Sequence, residues 1–353
     1  MTLQDLGYSD ILENQRIEQN LTNFEIGRVI AEHKERYIVR TEQGELETEI
    51  TGNMRFGAQS REDFPAVGDW VALQMYDPGF AIIHKILPRS STISRQAVGH
   101  YGEVQIIATN IDVAFLVQAV DRDFNLNRLE RYLTICYAAK VRPVVVLTKT
   151  DLIEPGRLAE IVDRVKARHR ELPVEAVSSE TLEGIEALKR HIKKGKTYCM
   201  LGSSGVGKST LINMLSGEVL MKTDAISQST QKGRHVTTHR ELIVLESGGV
   251  LIDNPGMREV GIVDSSGGLE TTFDGISGLS EHCKFSDCSH TNEAGCAVLE
   301  ALHNGELDEH AYRNFMKMQK EQAHFQMTSM EKRKKDKDFG KMLKNYKKNK
   351  RDF

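Results

Sequence analysis

Midway along the chain, Gly202-Ser203-Ser204-Gly205-Val206-Gly207-Lys208-Ser209 carries the glycine spacing and closing Lys-Ser pair of a phosphate-binding loop. Glycines allow successive backbone N–H groups to curl around phosphate oxygens, and a helix beginning there adds its partial positive charge. Lys208 would reach the β- and γ-phosphates of a nucleoside triphosphate, and Ser209 would offer its hydroxyl to Mg2+. Thr210, next in the chain, joins the expected nucleotide contacts. A dinucleotide fingerprint needs Gly-x-Gly-x-x-Gly, whereas Gly202, Gly205 and Gly207 give Gly-x-x-Gly-x-Gly. The chemistry is that of a triphosphate, not of hydride transfer.

Two further clusters suit the same ligand. Asp253-Asn254-Pro255-Gly256 follows the apolar Val250-Leu251-Ile252. An aspartate at the end of a buried strand can hold Mg2+ through water beside Ser209, and Gly256 can bring a backbone N–H to the γ-phosphate. Thr148-Lys149-Thr150-Asp151 follows the apolar stretch 143–147. The Asp151 carboxylate matches guanine N1–H and the 2-amino group, a donor pair that adenine lacks. Lys149 can cover the base with its methylene stem, and Ser178-Ser179 follows the next expected strand as a second loop reaching guanine O6. A metabolic ATPase conflicts with Asp151.

Cys283-x4-Cys288-x-His290-x5-Cys296 is a Cys3His set within fourteen residues. It fills a tetrahedral Zn2+ and leaves no protein position open to substrate, so one structural zinc is expected. Cys136 and Cys199 fall in an expected helix and strand and read as small core residues.

These residues need elements to position them. Short alternating runs at 27–31, 36–40, 46–50, 69–74 and 81–86, separated by turn residues, predict a small five-stranded barrel of oligonucleotide-binding (OB) type. From residue 105 the pattern alternates. Strands are expected at 111–120, 141–147, 173–177, 197–201, 241–244 and 250–252, and helices at 127–140, 157–170, 182–191 and 209–215. That alternation builds a mostly parallel sheet covered on both faces. Helices are expected again at 299–304 and 309–324. The resulting division is a flexible segment 1–22, a barrel 23–104, an α/β phosphate-loop domain 105–262, a zinc-binding helical domain 263–330 and a basic tail 331–353.

Composition sets the outer limits. The 353 residues include 39% apolar and 27% charged side chains with 7 prolines, which excludes collagen-like and low-complexity chains. No uncharged apolar run reaches the 18 residues of a membrane span, and the acidic N-terminal stretch is not a signal peptide. A cytoplasmic protein with no membrane partner is expected. The net charge of -3 hides an asymmetry: residues 331–353 hold 11 basic and 4 acidic side chains, so +7 sits on a body of -10. A basic tail on an acidic body raises a nucleic-acid or anionic-surface partner, the alternative being a solvated, disordered tail.

The order of the motifs is unusual. In most phosphate-loop GTPases the base selector follows the phosphate loop; here Asp151 precedes Gly202. Chain ends can move within a compact domain while its loops keep their places. With this order, the barrel before and the cysteines after, the sequence closely resembles the circularly permuted, ribosome-small-subunit-dependent GTPase A family of bacteria, over nearly its whole length. The resemblance implies GTP hydrolysis stimulated by the small ribosomal subunit, a role in its late maturation, contact with ribosomal RNA, release of the factor after hydrolysis and a cytoplasmic location; GTP and GDP are the expected nucleotides and a monomer the expected state. The family's switch carries Gly-Arg-His and three threonines; here it reads Gly233-Arg234-His235-Val236-Thr237-Thr238. Val236 departs from that pattern, leaving Thr237, or else Thr238, as the Mg2+ hydroxyl. Thr148 stands where the family has asparagine, and Ser179-Glu180 where it commonly has Ala-Lys. Met257 occupies the place of the water-positioning glutamine of small GTPases and cannot orient a nucleophile by hydrogen bonding. The resemblance offers His235 for that task. The competing expectation is an RNA-binding module that uses GTP only as a conformational ligand.

Overall fold

A computed structural model describes residues 1–33, 36–96, 104–121, 123–217, 241–253 and 267–326. The alternating stretches near the N-terminus become β1 (Glu25–His33), β2 (Arg36–Arg40), β3 (Glu45–Ile50), β4 (Trp70–Asp77) and β5 (Phe80–Ile86). In β3 the period-two rule is plain: Leu46, Thr48 and Ile50 are buried, while Glu45, Glu47 and Glu49 turn outward. The strands pair in the order β1-β2-β3-β5-β4, and β4 returns to β1, closing the barrel. The β3–β5 pair is parallel and the others antiparallel, as in an OB fold. Val29, Tyr37, Val39, Leu46, Val71 and Ile83 fill its interior.

A hairpin of β6 (Thr92–Gln96) and β7 (Val104–Thr109) follows, which the sequence pattern does not announce and which straddles the expected barrel limit at 104. Beyond it lie β8 (Val113–Ala119), β9 (Arg142–Thr148), β10 (Val174–Ala176), β11 (Thr197–Leu201), β12 (Glu241–Val244) and β13 (Val250–Asp253). Their order is β10-β9-β8-β11-β13-β12, parallel except for β12. Both faces are covered, so both residue parities are apolar. In β8, Val113, Phe115 and Val117 enter one core and Ala114 and Leu116 the other. Helix Leu126–Ala138 starts at Asn125, whose side chain accepts from the Arg128 N–H, and helix Pro155–Arg168 has proline at its first turn. The helix expected at 182–191 is shorter, Ile185–Lys189, because Leu182 and Gly184 take left-handed backbone conformations.

The segment expected to be flexible, 1–22, contains a 3-10 turn, Gln4–Leu6, and a helix, Asp10–Glu18. Leu6 and Leu21 are buried, and the Tyr8 ring meets Trp70 edge-on at 4.9 Å. Arg28 explains the docking. Its fully buried guanidinium donates to the carbonyls of Leu6 and Gly68 and to Thr197 Oγ1, and lies 5.4 Å from the Trp70 ring centroid. Burial lowers its pKa only to about 10, so the cation persists at neutral pH and needs every one of those acceptors. One cation thereby ties the N-terminal segment, the barrel and the start of β11. Strand β1 also pairs with β12 through Ala31 and Glu241, which makes the barrel an extension of the sheet.

The chain divides into two compact units, Met1–Val260 and Gly261–Phe353. Within the described residues of the second, helices Gly268–Thr272, Asp274–Ser280, Ala297–His303 and Glu309–Gln326 enclose Leu269, Phe273, Ile276, Val298, Phe315 and Met318.

Candidate active site at the carboxyl edge of the sheet

Parallel strands deliver their C-terminal ends to one edge, which is where open α/β sheets bind ligands. Thr148 ends β9, Ser178 follows β10, Gly202 follows β11 and Asp253 ends β13. The sheet order therefore sets the 148–151 and 178–179 loops on one side and the phosphate loop and Asp253 on the other, with β8 between them.

The phosphate loop is shaped by contacts that admit no alternative residue at Gly202. A Cβ there would lie 2.4 Å from the Val117 carbonyl oxygen. Gly207, at φ +96°, turns the chain into helix Lys208–Ser216, so the loop meets a helix start as expected. Ser204 and Gly205 are exposed at the tip, Ser203 and Thr210 are half-buried, Val206 is buried and Ser209 is exposed. Lys208 is buried, and its ammonium donates to the carbonyls of Gly202 and Ser203, each at 2.7 Å. Burial lowers its pKa to about 8, against the pull of Asp253 and Asp123, which raise it. Burial raises the Asp253 carboxyl, with Glu241 adding to the rise and Lys208 opposing it. A buried lysine and a buried aspartate with opposed shifts, flanking a glycine loop, suit a ligand that brings both anion and cation.

The base loops interlock. Ser178 is fully buried and its hydroxyl donates to Asp151 Oδ1 at 2.6 Å, while Ser178 Oγ accepts from the N–H groups of Glu180 and Thr181. Its side chain thus orients the Asp151 carboxylate. Ser179 is half-buried beside it. Lys149 takes φ +61° and its ammonium pairs with Asp121 at 3.0 Å. Thr148 answers the question its substitution posed. The short side chain still braces the loops, donating to the Val206 carbonyl at 2.6 Å and lying 3.3 Å from the Gln118 carbonyl.

His235, Thr237 and Gly256, with Met257, lie outside the described residues. The sequence pattern did not single out Asp121 and Asp123, which follow β8, or Arg128, which lies in the first turn of helix Leu126–Ala138. Their signal was positional: charged residues at the C-terminal end of a buried strand flanked by two site strands.

In the second unit, Cys283, Cys288, His290 and Cys296 bring their ligand atoms within 4.8 Å of one another. The sulfurs of Cys283 and Cys296 are 3.8 Å apart, and His290 Nδ1 is 3.6 and 3.5 Å from them. A tetrahedron with metal–sulfur bonds of 2.3 Å has edges of roughly 3.8 Å, so the set fits a four-coordinate metal. Glu293 holds the knuckle together: its carboxylate accepts from the N–H groups of Ser289, Thr291 and Asn292. Tyr312 donates to the His290 carbonyl at 2.6 Å.

Fold and site together define a phosphate-loop nucleotide hydrolase in which the base-selecting loops precede the phosphate loop. The sequence model of the RsgA GTPase family matches residues 86–263, and the chain belongs to that family. It is similar to the small ribosomal subunit biogenesis GTPase RsgA 1 of Bacteroides thetaiotaomicron, 41% identical over 98% of this chain and 97% of that protein. The RsgA of Opitutus terrae is 42% identical, over 92% and 90%. Among solved structures, YjeQ of Thermotoga maritima superposes with a TM-score of 0.61 at 26% identity, covering 83% of this chain and 96% of that one. YloQ, described as a circularly permuted GTPase, gives 0.61 and 26%, covering 86% and 97%. A match of residues 185–351 to the ABC transporter model spans the same phosphate loop and less than half the chain.

Proposed function

We propose that this GTPase acts on the small ribosomal subunit, hydrolysing GTP there as a factor in the subunit's late maturation and contacting its ribosomal RNA. The observation that carries the proposal is the site itself, a selector, a phosphate loop and an Asp253 carboxylate at one sheet edge. It sits in a chain aligned almost end to end with relatives named for small-subunit biogenesis.

Each residue then has a task. Asp151, oriented by Ser178, accepts from the guanine donors, and Lys149 flanks the base. The loop from Gly202 to Gly207 cradles the phosphates, while Lys208 neutralises the β- and γ-oxygens. Ser209, Thr237 and Asp253 would hold Mg2+, which supplies charge neutralisation on the phosphates. Gly256 would offer its N–H to the γ-phosphate, and His235 would order the attacking water, the task Met257 cannot do. The Cys3His set would hold one structural Zn2+, its three thiolates and one imidazole suiting zinc in particular. Among the described residues no helix is long and apolar enough to cross a membrane. A cytoplasmic monomer is the state in which we place this activity.

The test is association. Sedimentation with purified small subunits should retain the protein in the presence of a non-hydrolysable GTP analogue and release it with GDP. No retention with either nucleotide would remove the subunit from the proposal, and equal retention with both would remove nucleotide control of the association.

A further inference from the structure

The connection between β8 and helix Leu126–Ala138 grips the phosphate loop from the side. Ser203, second residue of the loop, donates its hydroxyl proton to Asp123 Oδ2 at 2.6 Å, and its Oγ accepts from Arg128 Nη1 at 2.8 Å. Arg128 Nη1 also spans both carboxylate oxygens of Asp123, at 3.0 and 3.1 Å, and its Nη2 donates to the Asp123 carbonyl at 2.9 Å. An isolated surface ion pair contributes little. This pair differs because both of its members bond one hydroxyl of the phosphate loop, and because its base is rigid. Buried Gln118 holds Asn125 from both sides, Oε1 accepting from its N–H and Nε2 donating to its carbonyl. Asn125 in turn caps the helix that carries Arg128.

The contact matters because of what Ser203 does with its backbone. Its carbonyl is one of the two that receive the Lys208 ammonium. At the loop's other flank, Thr148 fixes the Val206 carbonyl. The loop is thus pinned at its second and fifth residues, by side chains of two neighbouring strand exits.

We propose that Asp123 and Arg128 are positioning residues for GTP. Through the Ser203 hydroxyl they fix the phosphate loop and the Lys208 ammonium before the phosphates arrive, so that binding does not have to order the loop. Such pre-organisation serves ground state and transition state alike and belongs to KM rather than to kcat.

Full-length protein carrying Ser203→Ala, Arg128→Ala, Asp123→Asn, or Ser203→Ala with Arg128→Ala would be assayed without ribosomal subunits. The readouts are the Kd for GDP and the KM and kcat for GTP. Each single variant should raise Kd and KM about fivefold to tenfold, the cost of one ordinary hydrogen bond, with kcat within about twofold. The double variant should be no weaker than the weaker single, because both changes act through one hydroxyl. Unchanged Kd and KM in the single variants would overturn the proposal, as would additive losses in the double. A fall in kcat at constant KM would overturn it too, showing that Arg128 acts on the transferring phosphoryl group itself. Should Arg128→Ala or Asp123→Asn fail to fold, Ser203→Ala decides alone, since it removes only a hydroxyl from a half-buried loop residue.

Discussion

Asp151 and Lys208 each commit the site to a distinct chemistry. Asp151 is held by the Ser178 hydroxyl, and in the proposed function its carboxylate accepts from the two donors of guanine. Asp151→Asn should weaken GTP relative to xanthosine triphosphate by about a hundredfold or more, two charged hydrogen bonds being exchanged for a mismatch. Competition binding with both nucleotides checks this; unchanged preference for GTP would refute the assignment. Lys208 has its pKa lowered to about 8 by burial, and a bound polyphosphate must raise it again. Affinity for GDP should therefore be level below pH 8 and fall above it, where binding has to recruit a proton. Calorimetry at pH 8.5 in buffers of different ionisation enthalpy should show proton uptake, and Lys208→Ala should abolish it. At this scale the sequence was legible wherever a function is carried by neighbours in the chain, as in residues 202–209 and 148–151. Asp123, Arg128 and Glu293 were not, because their partners are set by contact across the fold.

Single elements explain both what patterning revealed and what it hid. Strand β8 was visible because nearly every residue of it is apolar and both its faces are buried. The N-terminal helix was hidden because docking rests on Leu6, Leu21 and one buried arginine rather than on a continuous apolar stripe. The β6–β7 hairpin was hidden for a related reason, since polar Ser94, Arg95 and Gln105 interrupt its alternation. The metal knuckle makes a prediction of its own. Its residues 283–296 form no helix or strand, so ligation and Glu293 must stand in for a core. Elemental analysis should find about one zinc per chain, bound through the four ligands. Glu293→Gln should weaken retention against a chelator by about tenfold, because the amide keeps one acceptor oxygen where the carboxylate uses both, one for the Ser289 N–H and the other for those of Thr291 and Asn292. Zinc well below stoichiometry in folded, reduced protein would contradict the site.

For the whole molecule, barrel and sheet are continuous through β1 and β12, and β12 emerges directly from the segment 218–240 that contains His235 and Thr237. A change in that segment would reach a strand bonded to the barrel. The tail 331–353, with its +7 charge, should add a contact that depends on salt and not on sequence. Deleting it should lower affinity for the small subunit and flatten the salt dependence while leaving intrinsic GTP turnover alone. Identical salt slopes for the two lengths would show the tail to be a bystander. Most direct of all is steady-state turnover of GTP and of ATP by the full-length protein, with and without purified small subunits. GTP turnover should rise by at least about tenfold with saturating subunits, on the scale of one added transition-state contact, while ATP remains at background. GTP turnover unaffected by subunits, or matched by ATP, would contradict a guanine-selective enzyme that works on the ribosome.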